Sequence, residues 1–188
     1  MNNRAKIMEV AVNLFASRGY DGVGVKELAE EAGVTKPTLY HYFGNKKGLL
    51  EELLVENFSK MNNLVKEATI YNHDLPFTLN KLVSTYFNFA KNNKTFYRMQ
   101  LAMALAPIDS ESNKAVSKFI KEQHNMVEEL FIQAAEDHGN MKGRHKAYAA
   151  TLLGMINTYI TLSLRGDREL NDELLYQAVH QFMHGIYS

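Results

Sequence analysis

The stretch Gly19–Lys47, GYDGVGVKELAEEAGVTKPTLYHYFGNKK, decides the fold, because its spacing reads as two short helices joined by a tight turn. Val25, Leu28, Ala29 and Ala32 recur at i, i+3, i+4 and i+7 and put one apolar stripe on the first short helix. Gly24 is an acceptable N-cap, and Glu27 falls three positions later, where a carboxylate can reach back to exposed backbone N–H groups. Gly33 supplies the left-handed residue that ends this helix. Thr35 can cap the next one, with Pro37 in its first turn, where a missing N–H breaks no intrahelical bond.

Leu39 and Phe43 face inward at i, i+4, which leaves Lys36, Pro37, Thr38, Tyr40, His41 and Tyr42 outside or at the edges. That outer face has no carboxylate. It carries a cation, a hydroxyl, an imidazole and two phenols, a set suited to phosphates and to base edges in a major groove. A further helix begins after Asn45, and Lys46 and Lys47 sit at the positive end of its dipole, a conflict that a nearby polyanion would remove. Asn45 to Lys47 therefore reads as a phosphate clamp. A short helical pair displaying ordinary polar residues would show the same spacing.

The segment resembles the DNA-binding domain of TetR-family transcriptional regulators. Gly19-Tyr20, Ala32-Gly33-Val34, Thr38-Leu39-Tyr40-His41-Tyr42-Phe43 and Lys46 match the family motif as they stand. Val23 and Gly24 stand where the family usually has hydroxyl residues, and Lys47 where it often has an acid. The resemblance covers about the first quarter of the chain. It implies DNA binding through Lys26, Thr35, Lys36, Pro37, Thr38, Tyr40, His41, Tyr42 and Lys46.

The 188-residue chain has zero formal net charge, so any attraction to DNA must come from a local patch. Through Gly48, Arg4, Lys6, Arg18, Lys26, Lys36, Lys46 and Lys47 outnumber Glu9, Asp21, Glu27, Glu30 and Glu31. Cysteine is absent, which excludes disulfides, thiolate nucleophiles and cysteine metal sites and makes a reducing cytoplasm the expected location. The start MNNRAKIMEV is polar rather than a signal core, and no apolar run is read as long enough to cross a bilayer.

Outward from the central stretch, Ile7, Val10, Ala11, Leu14 and Phe15 share one face of a first helix from about Arg4 to Arg18. Leu50, Leu53, Leu54, Phe58, Met61, Leu64, Val65 and Ala68 keep helical spacing along a long fourth helix. Punctuation at Asn72–Pro76, Asn92–Lys94, Pro107–Ser110, His138–Gly143 and Gly166–Asn171 delimits five more. No strand pattern or repeat is present, so the expected fold is all-α with about nine helices. A three-helix helix-turn-helix domain, 1–47, precedes a larger helical effector-binding and dimerisation domain, 48–188.

The helix from about Gly143 to Arg165 is apolar on more than one face. Tyr148, Leu152, Met155, Tyr159 and Leu162 share one, and Ala147, Thr151, Gly154, Thr158 and Thr161 form a small-residue stripe. The last helix adds Leu174, Leu175, Ala178, Val179, Phe182, Met183 and Ile186. The family resemblance implies a homodimer through these two helices. It also implies a small-molecule effector in the second domain, for which Met61, Tyr86, Phe89, Met99, Met103, Phe119, Met126 and Tyr159 are the candidate apolar lining.

Enzyme chemistry has no visible carrier, and no cofactor or metal is implied. His180 and His184 stand i, i+4 but lack the HExxH glutamate, and Gly22-Val23-Gly24 follows a helix rather than a strand, with Glu27 in the third glycine position. The functional expectation is a sequence-specific DNA-binding transcriptional regulator, a repressor released from a near-palindromic double-stranded operator by a small, mostly apolar ligand, and not a membrane protein. Two rival readings stay open: a ligand-independent architectural DNA-binding protein, and a helical carrier or enzyme that has lost DNA binding.

Overall fold

The computed structural model describes residues 2–185, so Ile186 lies outside the described residues. Among the described residues nine α-helices follow one another: α1 Asn3–Arg18, α2 Val25–Glu31, α3 Lys36–Phe43, α4 Lys46–Ala68, α5 Leu75–Asn92, α6 Lys94–Ala104, α7 Glu111–Asp137, α8 His145–Arg165 and α9 Asp172–His184. A single 3-10 turn, Gly139–Met141, precedes α8, and no strand occurs among the described residues.

The chain forms two compact units that exchange segments: residues 2–60 with 93–119, and residues 61–92 with 120–185. In the first, Ile7, Met8, Ala11 and Phe15 of α1 meet Leu28 and Ala29 of α2 and Leu39 and Phe43 of α3 in a shared apolar interior. The same α1 packs extensively on α6, whose Phe96, Tyr97, Met99 and Met103 are buried. Three short helices of this size bury too little on their own to be stable, and α6 supplies the missing floor. Phe58 of α4 lies edge-on to Phe96 at 5.4 Å and flat against Phe119 at 4.7 Å. The Asn113 amide donates to the carbonyls of Met103, Ala104 and Ala106 at 3.2, 3.0 and 3.3 Å, which closes the carboxyl end of α6 with a side chain from α7.

In the second unit, α5 buries Thr78, Leu79, Leu82, Val83, Tyr86, Phe87, Phe89 and Ala90 and packs on both α8 and α9. A buried amide pair joins α4 to α7. Gln123 Nε2 donates to Asn62 Oδ1 at 2.9 Å, and Asn62 Nδ2 donates to Glu122 Oε2 at 2.7 Å. After α4, His73 adopts a left-handed backbone at φ 59°, and its Nδ1 lies 2.7 Å from Asp137 Oδ2. The Tyr71 hydroxyl donates to the same oxygen at 2.8 Å; desolvation and that carboxylate push the phenol up to about 12.

Two expectations change. Leu64 keeps helical spacing with its neighbours yet is 46% exposed, because it lies off the stripe that α4 buries. And α8, at 21 residues and a mean hydropathy of 1.2, reaches the length and composition of a bilayer-crossing helix, against the reading that no run does so. The value is carried by Leu, Ile, Met and Ala, and Leu152, Leu153, Ile156 and Ile160 among them are buried within the unit.

The amide pair sets a stability test. Gln123→Leu strands the Asn62 carbonyl in an apolar setting and should cost about 1–3 kcal/mol in urea denaturation, and adding Asn62→Leu should restore a substantial part of it.

Candidate nucleic-acid interface

The geometry of the α2–α3 pair is built from local caps. Gly24 precedes α2 without a side-chain cap, and Glu27 does not reach back to the helix start: its carboxylate takes the Arg18 guanidinium at the end of α1. A charged partner at the end of a neighbouring helix outcompetes the weaker backbone contact. At the turn, Gly33 has φ 62°, its N–H donates to Glu30 O at 3.0 Å and Val34 N–H donates to Ala29 O at 2.9 Å, which closes the carboxyl end of α2. Thr35 Oγ1 accepts from Thr38 N–H at 3.3 Å and shares a hydrogen bond with the Thr38 hydroxyl at 2.8 Å.

Leu39 and Phe43 are fully inward on α3, and the opposite face is open. Lys36, Pro37 and His41 are exposed, Tyr40 is 45% and Tyr42 38% exposed, and Thr38 is half-buried. The His41 and Tyr42 rings meet edge-on at 5.5 Å, so the two project as one aromatic step. Lys26 on α2 is exposed, with Glu30 at 3.8 Å, a surface pair that restrains it little.

Gly44, at φ 71°, ends α3, and Asn45 Oδ1 accepts from Gly48 N–H at 2.8 Å to cap α4. Gly48 is a position that reasoning from sequence missed. A Cβ there would lie 2.1 Å from the Phe43 carbonyl oxygen, so the first turn of α4 rests directly on the last carbonyl of α3. The only sequence signal was a glycine in the first turn of an otherwise regular helix.

Lys46 and Lys47 differ. Lys47 is exposed, whereas Lys46 is half-buried with Nζ 4.0 Å from the centroid of the Tyr20 ring. Burial lowers the Lys46 ammonium, and Asp21 and Glu111 oppose that shift. Tyr20 also meets Phe15 edge-on at 5.2 Å, and its hydroxyl donates to the Glu111 carboxylate. Burial first, and the bond to Glu111 second, hold the phenol well above its ordinary range. Glu111 is the second residue missed, since nothing local marks a partner ninety-one positions away.

The candidate effector residues fall in both units. Met61, Tyr86 and Phe89 are buried in the second unit, while Met99, Met103 and Phe119 belong to the first. Met126 lines a groove of about 530 Å³ with Ile70, Tyr71 and Leu130, and Tyr159 lines a different one of about 570 Å³ with Tyr148, Met155 and Phe182. The His180 and His184 rings stand 4.6 Å apart on α9, and no group of three metal-capable side chains occurs among the described residues.

Residues 7–53 match the family model described as bacterial regulatory proteins, tetR family. That segment is a TetR-family DNA-binding domain. It is 24% identical over 183 residues to the HTH-type transcriptional activator FasR of Mycolicibacterium smegmatis, covering 97% of this chain and 81% of FasR. The HTH-type negative transcriptional regulator IcaR of the Staphylococcus aureus biofilm operon is 25% identical over 109 residues, 57% of either chain. Among solved structures, the transcriptional regulator FadR from Bacillus subtilis in complex with stearoyl-CoA superposes with a TM-score of 0.79 at 20% identity, over 97% of this chain and 98% of that one, which establishes a shared fold. With this domain and these curated relatives, the chain is a transcriptional regulator.

Two outcomes follow for the head. Gly48→Ala must displace the α3 carboxyl end and should cost about 1–3 kcal/mol by thermal melting, with a parallel loss of DNA binding. The raised Tyr20 value means that its contribution to stability is fully present below the free phenol value near pH 10 and is lost as pH climbs through the folded one; Tyr20→Phe should flatten that alkaline limb in pH-dependent denaturation.

Proposed function

We infer that the protein is a homodimeric, cytoplasmic repressor that lays its two α3 helices in major grooves of a near-palindromic operator and is released by a small, mostly apolar ligand. The acid-free, open face of α3 is the observation that carries the DNA reading, because it aims Lys36, Pro37, His41 and the two phenols outward from a helix fixed by Gly33, Thr35 and Gly48. Thr35, Thr38, Tyr40, Tyr42, Lys26 and Lys46 take phosphates, and Lys36, Pro37 and His41 take base edges. Half-sites then lie one or more helical turns apart.

Dimerisation through α8 and α9 is supported by their surface. Ala147, Thr151, Gly154, Thr158 and Thr161 form an exposed stripe of small residues on α8, along which a second copy's helix could approach closely. The ligand reading is supported by Tyr86, whose hydroxyl is buried in the apolar face of α5 with no hydrogen-bond partner among the described residues, and whose ionisation is pushed far up by that burial. An orphaned hydroxyl inside a protein is costly unless something else uses it, and a ligand oxygen is such a partner. FadR was solved with stearoyl-CoA, which makes long-chain acyl-CoA the first ligand to try.

The test begins with an operator selected from random duplexes by the protein itself. Lys46→Ala should weaken binding to every sequence and lower the salt slope by about one per protomer, whereas Lys36→Ala should relax preference at one position; identical behaviour would refute the division. Stearoyl-CoA should release the operator from the wild-type protein and do so less readily from Tyr86→Phe, which should itself melt at a higher temperature without ligand. Release by no acyl-CoA of any chain length would favour the ligand-independent reading.

A further inference from the structure

We propose that Glu111 is a built-in brake on DNA affinity: its carboxylate, held on the Tyr20 hydroxyl, draws the Lys46 ammonium away from the DNA phosphate that this lysine would otherwise clamp. The inference rests on the phosphate role given to Lys46 above and adds the group that opposes it.

Three side chains from three places in the sequence converge in the first compact unit. Lys46 opens α4, Tyr20 closes the turn after α1, and Glu111 is the first residue of α7. The ammonium lies over the Tyr20 ring, the Tyr20 hydroxyl donates to Glu111, and the charges that act on Lys46 are those of Asp21 and Glu111. The half-buried cation thus lies on a ring whose hydroxyl holds one carboxylate, with Asp21 also acting on it, so a phosphate approaching Lys46 meets a neighbourhood already supplied with negative charge.

The carboxylate is well placed to stay there. It sits in the first turn of α7, where the helix dipole favours an anion, and Ser110 Oγ accepts from Asn113 N–H at 3.2 Å to hold that turn. The Asn113 amide then ties the turn to the end of α6. Because α7 runs on unbroken from Glu111 to Asp137, a shift of this helix along its axis carries the carboxylate with it and changes how strongly Lys46 is held. Glu111 is in this sense a positioning residue, acting on DNA through Lys46.

The experiment measures binding to a mixed-sequence duplex of about forty base pairs, between about 50 and 200 mM KCl, where affinity is almost wholly electrostatic and no operator is required. The full chain is compared as wild type, Glu111→Gln, Lys46→Ala and the double variant. A glutamine keeps an oxygen to accept from Tyr20 and loses only the charge, so Glu111→Gln should bind about three- to tenfold tighter, with a steeper salt slope. In the Lys46→Ala background the same change should give no gain.

A gain of equal size without Lys46 would mean a general charge effect and would overturn the proposal, as would Glu111→Gln binding no tighter than wild type. Glu111→Ala, checked by thermal melting beside Glu111→Gln, removes the charge by a second route and must show the same gain. If Lys46→Ala alone leaves affinity and salt slope unchanged, the phosphate role of Lys46 itself fails and the brake with it; if Lys46→Ala weakens binding and Glu111→Gln does nothing, only the brake fails.

Discussion

One aromatic ring holds the DNA-reading head to the rest of its unit. Tyr20 follows α1 directly, and its ring sits between Phe15 on one side and the Lys46 ammonium on another while its hydroxyl reaches the first residue of α7. Apolar, cation–π and hydrogen-bonding contacts are thus made by a single side chain to three different segments. The head has few buried residues of its own, and these contacts, with the packing of α1 on α6, make its orientation a property of the unit rather than of the three short helices.

On the proposed reading, DNA recognition depends on where charge is absent more than on how much is present. A zero net charge gives no overall field, and most lysines have acids nearby in the sequence. From Thr35 to Gly48 no acid occurs, and α3 turns that stretch outward. The two lysines at the start of α4 are not equivalent, however. Lys47 is exposed, and Lys46 trades part of its hydration for a ring, with two carboxylates acting on it from farther off. A charged group at a protein surface acts on a ligand only to the extent that its own neighbours leave it uncommitted.

The helical succession and the caps at Gly33, Thr35 and Asn45 were legible in the sequence because each is decided within about four residues by backbone stereochemistry. What was not legible depends on distant partners. Glu27 prefers Arg18 to the helix start it was expected to cap, Glu111 finds Tyr20 across the whole of five helices, and Leu64 falls outside a stripe that its spacing alone would include. The aromatic and methionine candidates for a ligand lining share a composition and a periodicity, but those features cannot distinguish core from cavity, and the fold divides them between two units. The orphaned Tyr86 hydroxyl is the exception that structure adds, since nothing in its sequence neighbourhood distinguishes it from Tyr97.

The contact between Gly48 and the Phe43 carbonyl also has an evolutionary side. Every missense change in a glycine codon adds a Cβ, so no point mutation at this site escapes the collision with a backbone atom that cannot rotate away. On the proposed reading, substitutions on the exposed face of α3 change which sequence is read and leave the backbone alone, while any side chain at the joint forces the backbone to shift. New operator preferences are then reached at less structural cost by changing the letters on that helix than by re-aiming it through position 48.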